Sequence, residues 1–82
     1  MNYRKKMLAE RFSGSAEDAQ RLKELFAELH ASFAKIEDFA STLEDTPAWI
    51  RARAELAGTY LDACYHILDP ALAKYPELDD RH

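Results

Sequence analysis

Asp62, His66 and Asp69 are spaced i, i+4 and i+7, so an uninterrupted helix would carry an imidazole and two carboxylates on one face. Such a set can hold a divalent metal, and the carboxylates can orient the ring. Arg51, Glu55 and Thr59 fall on the same face, which makes it the polar side of the helix. A di-iron bundle needs Glu-x-x-His motifs pointing inward from its helices, and the chain has none.

Cys64 is the only cysteine, and it falls on an apolar stripe. A nucleophilic thiolate needs a base or a positive environment beside it. His66 is two residues on, about 200° away around a helix, so it cannot be that base. A small core residue is the expected role. His30 follows Leu29 and flanks the main apolar seam, as a partly exposed side chain or an interface residue that responds to pH.

Trp49, Arg53 and Tyr60 are the group with the most binding character. Arg53 interrupts an apolar stripe one turn after Trp49, where its guanidinium can stack on the indole. Trp, Tyr and Arg dominate interaction hot spots. The expected contact is tertiary packing or self-association rather than an external ligand. With two glycines in 82 residues there is no phosphate-cradling loop, and no Ser/His/Asp set or zinc-ligand spacing occurs.

The elements that must position these residues are helices. Valine is absent, while Ala, Leu and Glu are abundant, a composition that favours helix over strand. Leu22, Leu29, Ile36 and Leu43 lie seven apart, with Ala19, Phe26, Phe33 and Ala40 between them. That repeat keeps one stripe of a helix facing a partner helix. Ser15 is the expected N-cap, with Glu17 and Asp18 in the first turn, so a long helix should span about 16–44. Glu17 and Arg21 can pair on its outer face. Thr46-Pro47 reads as N-cap and first helical residue of a second helix, about 47–68. The short connection makes the two antiparallel neighbours. The second helix offers Ile50, Ala54, Ala57, Leu61, Cys64 and Leu68 to the seam, with Ala57 level with Phe33. Its adjacent stripe, Trp49, Arg53, Leu56, Tyr60, Ala63 and Ile67, is left over, as are Leu25 and Phe39 on the first helix.

Residues 3–12 can form a short helix with Tyr3, Met7, Leu8 and Phe12 on one side, and Ser13-Gly14-Ser15 breaks it. Asp69-Pro70 starts a further turn of helix over about 70–75, which Pro76 ends, and Glu77 to His82 read as a solvated acidic end. The division is thus one small domain: a basic arm (1–14), a helical hairpin (15–69), and a short helix with an acidic tail (70–82).

Charge is unevenly spread. Residues 1–12 carry +3 (Arg4, Lys5, Lys6, Arg11 and Glu10), whereas the remainder carries −7. An acidic body repels nucleic acid, so nucleic acid is not an expected partner. The basic arm is expected to pack on the acidic body, with an anionic membrane as the alternative. A lone cysteine permits no intrachain disulfide. No apolar run reaches the roughly 18 residues of a membrane span, and no secretory h-region is evident. A cytoplasmic location is expected.

These readings predict an all-α fold, a long antiparallel hairpin with short terminal helices, dimerising into a four-helix bundle. The predicted function is a non-enzymatic, regulatory or adaptor-like protein-interaction module acting as a homodimer and binding another protein. No cofactor is expected. Trp49, Arg53, Leu56, Tyr60, Leu25 and Phe39 are the expected interface. The alternative is a small-ligand or divalent-metal-binding bundle using Asp62, His66 and Asp69.

Overall fold

The structure, a computed structural model, describes residues 3–80 of the 82. It is all-helical, with no strand among the described residues: α1 (Tyr3–Glu10), α2 (Ala16–Ala40), α3 (Pro47–Ala63), a π-helical segment (Cys64–Leu68), α4 (Asp69–Lys74) and a 3-10 turn (Pro76–Leu78). No described helix is long and apolar enough to cross a membrane.

Local chemistry sets the ends. Ser15 Oγ accepts from the Asp18 amide at 3.2 Å, and Asp18 Oδ2 accepts from the Ser15 amide at 2.8 Å. This reciprocal capping box satisfies two donors at the start of α2. Those Ser15 hydrogen bonds, backbone first and then side chain, hold the Asp18 carboxyl below its ordinary pKa. Thr46 caps α3 through the Trp49 amide, with Pro47 at its first position, as the sequence predicts.

α2 ends at Ala40, short of the expected 44. Ser41 Oγ donates to the Asp38 carbonyl at 2.8 Å and Thr42 Oγ1 to the Phe39 carbonyl at 2.7 Å. The Ala40 carbonyl accepts from the Trp49 indole at 3.0 Å. Side chains thus take carbonyls that a longer helix would have used, which favours termination. On the outer face, Arg21 pairs with Glu24 at 3.5 Å rather than with Glu17.

The second helix does not stop at Leu68. Pro70 has no amide proton, and its ring collides with the carbonyl four residues back in an α-helix. The chain responds by widening. The Asp69 amide bonds to the Cys64 carbonyl, five residues back, and the helix continues into α4 through Pro70.

The packed core lies at this end of the molecule. Phe26 of α2 meets Cys64, Leu68 and Leu72, with Leu22, Leu29, Tyr60, Ala63 and Leu78 around them. Ala19 and Ala71 are fully buried. α1 packs chiefly on α4, and Lys74 ties the two termini together. Its Nζ donates to the Phe12 and Gly14 carbonyls and sits 5.8 Å from the Phe12 ring centre. Tyr3 and Met7 do not join that contact: they are exposed, while Leu8 and Phe12 are half-buried.

The C-terminal end is also less solvated than expected. Leu78 packs against the core, and Asp80 pairs with Lys23 at 3.1 Å. The hydrogen bond and charge of Lys23 lower the Asp80 pKa. Arg81 and His82 lie outside the described residues.

Gly58 sits inside α3, and a Cβ built there meets nothing within 4 Å. Gly58→Ala should therefore raise unfolding stability by about 0.5–1 kcal/mol, through lower unfolded-chain entropy and higher helix propensity. Urea titration monitored by circular dichroism measures this, and an unchanged or lower midpoint would contradict the placement.

Candidate interaction surface

Three contacts fix which side of α3 turns toward α2. The Trp49 indole reaches Ala40. Arg53 Nη2 meets Glu37 Oε1 at 3.0 Å while its Nη1 meets Asp45 Oδ1 at 3.0 Å. The Tyr60 ring lies 5.4 Å from Phe33 and 5.5 Å from His30. The order of partners reverses between the two helices, with the lowest-numbered residues of α3 meeting the highest of α2.

The structure places the faces of α3 differently from the expected division. Trp49, Arg53, Leu56 and Tyr60, assigned above to a partner, are half-buried and turned toward α2. Ile50, Ala54, Ala57 and Leu61, assigned to the seam, are exposed, Leu61 at 64 %. Phe33 meets Tyr60 rather than the alanines. The cause is polar: Arg53 has carboxylates at hand only on the α2 side, and the indole N–H needs the Ala40 carbonyl. Beyond Ala63 the widened segment carries an extra residue per turn, so the inward face passes from Tyr60 to Cys64 and Leu68.

α2 departs from expectation in a related way. Leu22 and Leu29 are half-buried, but Ile36 and Leu43 are 50 % and 44 % exposed. A straight helix drifts about 20° per heptad, so a strict seven-residue stripe has turned about 40° by Ile36, and Leu43 lies beyond the end of α2. Leu25 (42 %) and Phe39 (68 %) are exposed on the same outer side.

An open groove of about 760 Å³ runs between α2 and α3. Phe33, Glu37, Arg53, Leu56 and Tyr60, the more buried lining residues, form its floor, and Ala34, Ile50, Ala54, Ala57 and Leu61 its rim. Its charges are Arg53 with Glu37 and Asp45, already paired. Arg53 Nε is buried and lacks a hydrogen-bond acceptor among the described residues.

The metal candidate is dispersed by the widened segment, which lies between Asp62 and Asp69 and breaks the i, i+4, i+7 register. Among the described residues no cluster of three His, Cys, Asp or Glu side chains could hold a metal ion. Asp62 and His66 are exposed, and the His66 ring lies edge-on to Tyr65 at 5.2 Å. Cys64 is buried in the core.

The exposed rim is what the sequence reading missed. Its signal was present: Arg53 within an apolar stripe, with Glu37 and Asp45 in reach of it across the connection. The chain matches no protein-family model, and no curated protein or solved structure shows significant similarity to it.

Proposed function

We propose that this chain is a non-enzymatic helical interaction module that acts as a homodimer. In this reading α2 and α3 form an antiparallel hairpin, and two hairpins close a four-helix bundle over the groove. One observation carries it. The chain exposes 6218 Å², whereas a compact monomer of its 9.4 kDa exposes about 5,000 Å². The excess, about 1,200 Å², is more than the about 800 Å² that each partner of a standard interface buries. Its radius of gyration, 15.6 Å, likewise exceeds the roughly 12 Å of a compact chain of this length.

A second copy suits the groove because the groove has both halves of an isologous contact. Leu61 and Ile50 project, and Ala34, Ala54 and Ala57 leave room for projecting side chains, so large meets small across a two-fold axis. The paired Arg53, Glu37 and Asp45 leave little unbalanced charge to repel an identical face. Leu25, Ile36, Phe39 and Leu43 lie on the other side of α2 and stay outside such a bundle, the side from which an adaptor engages another protein.

Light scattering coupled to size exclusion tests the reading. The wild type should elute at twice the chain mass at micromolar concentration. Ala57→Arg, which places a cation on an exposed rim position, should yield a monomer with unchanged helical content. A monomeric wild type, or a dimer indifferent to Ala57→Arg, would remove the groove as the interface.

A further inference from the structure

α3 is held at its two ends and hardly at all between them. Apart from Ala40, every buried residue among those described lies in the first half of α2, in the widened segment or in α4. α3 itself buries none. Its base, Tyr60 and Ala63, packs against the core. Its tip is held by polar contacts, the Trp49 indole on the Ala40 carbonyl and the Arg53 fork on Glu37 and Asp45. Between Arg53 and Tyr60, Leu56 is the one half-buried side chain, and the open groove takes the place of packing. Segments with few buried apolar contacts open locally at a lower cost than the whole fold.

The helix is weakest where the anchored base meets this span. Glycine is the poorest helix former after proline, and a Cβ at Gly58 would meet nothing, so no close approach of another element requires a glycine there. Next to it, Thr59 Oγ1 donates to the Glu55 carbonyl at 2.9 Å. A hydroxyl bonded four residues back competes with the helix's own amide for that carbonyl and favours bending. Gly58 and Thr59 therefore make a joint between a capped tip and an anchored base.

We propose that residues 47–57 are a lever that opens and closes the groove, hinged at Gly58–Thr59 and latched by Arg53. The tip supplies one wall of the groove through Ile50, Ala54 and Ala57, and α2 supplies the other. The latch is ionic and solvent reaches both of its carboxylates, so it is a releasable contact that salt weakens. The connection, residues 41–46, tethers the tip and limits its travel. Release carries Trp49 and Leu56 away from α2 and widens the groove, while α1, α4 and the core keep their contacts. The lever belongs to one protomer and does not rest on the dimer.

Trp49 is the only tryptophan and sits at the latch, so its fluorescence reports the tip while far-UV circular dichroism reports the helices. In urea, the wild-type emission should shift to the red, and its quenching by acrylamide rise, before ellipticity falls. A single cooperative unit would show coincident transitions instead. Arg53→Ala should raise quenching several-fold without urea, with helical content nearly unchanged. Asp45→Asn, which removes one ion pair from the connection without altering a helix, should give a smaller rise, and it reads the latch alone should Arg53→Ala lose its helices. Gly58→Ala should act in the opposite sense, lowering quenching and drawing the two transitions together. Gly58 is nine residues from Trp49, so a local contact cannot produce that response. Coincident wild-type transitions, emission indifferent to both latch variants, or Gly58→Ala quenched like the wild type would each overturn the lever. Light scattering on the same samples separates the two readings: a monomer that still shows the early Trp49 shift keeps the lever and loses the dimer.

Discussion

Phe26→Ala is expected to leave the molecule substantially unfolded at room temperature. Phe26 is the large side chain of α2 that is buried in the cluster with Cys64, Leu68 and Leu72, and it is 9 % exposed. Truncating a buried phenylalanine costs about 3–5 kcal/mol, the transfer term plus the cavity left behind. At roughly 0.05–0.15 kcal/mol per residue, a chain of this size has about 4–12 kcal/mol in total. Among the described residues no large side chain is fully buried, which places the chain toward the low end of that range. Phe33→Ala is the contrast: its ring is half-exposed in the groove, so it should cost less than half as much. Urea unfolding followed by circular dichroism reads both. Equal losses for the two variants would place the core elsewhere than at the α2–π–α4 junction.

Arg53→Ala is the second large effect, and its origin is geometric. Two guanidinium nitrogens bridge two elements, Nη2 to Glu37 on α2 and Nη1 to Asp45 in the connection. The Arg53 side chain is 22 % exposed, but Glu37 and Asp45 are 45 % and 59 % exposed. Solvent screens both carboxylates and rehydrates them once the arginine is gone, which limits the expected loss to about 1–2 kcal/mol. Arg53→Lys should recover less than half, because one ammonium cannot span two partners set for a planar fork. A cycle of Arg53→Ala with Glu37→Ala should show a coupling of about 0.5 kcal/mol or more. Strict additivity would mean that the bridge holds nothing together.

What could be read from the chain was what is settled within a few residues. Ser15 with Asp18, and Thr46 with Pro47, announce helix starts because a cap needs only its own turn. What could not be read was the rotation of each helix. The stripe from Ile50 to Leu61 and the stripe from Trp49 to Tyr60 are both apolar enough to face α2, and only the hydrogen-bonding needs of Trp49 and Arg53 decide between them. Those partners are Ala40, Glu37 and Asp45, whose positions depend on where α2 ends. That end is set by Ser41 and Thr42 hydroxyls, a competition that hydrophobic spacing does not register. The groove was hidden for the same reason. The segment at Pro70 was half-legible: proline marks a disturbance, but whether the helix breaks or widens depends on the packing of Cys64 and Leu68.

The widened turn also sets a phase. A continuous α-helix fixes the angle between any two of its faces by residue count alone. Here the wider turn between Cys64 and Leu68 resets that angle, so the groove side of α3 and the buried side of α4 are oriented independently of each other. Shortening this turn by one residue would leave both faces with their composition intact yet swing one about 100° against the other. At this point in the chain, length controls direction rather than reach.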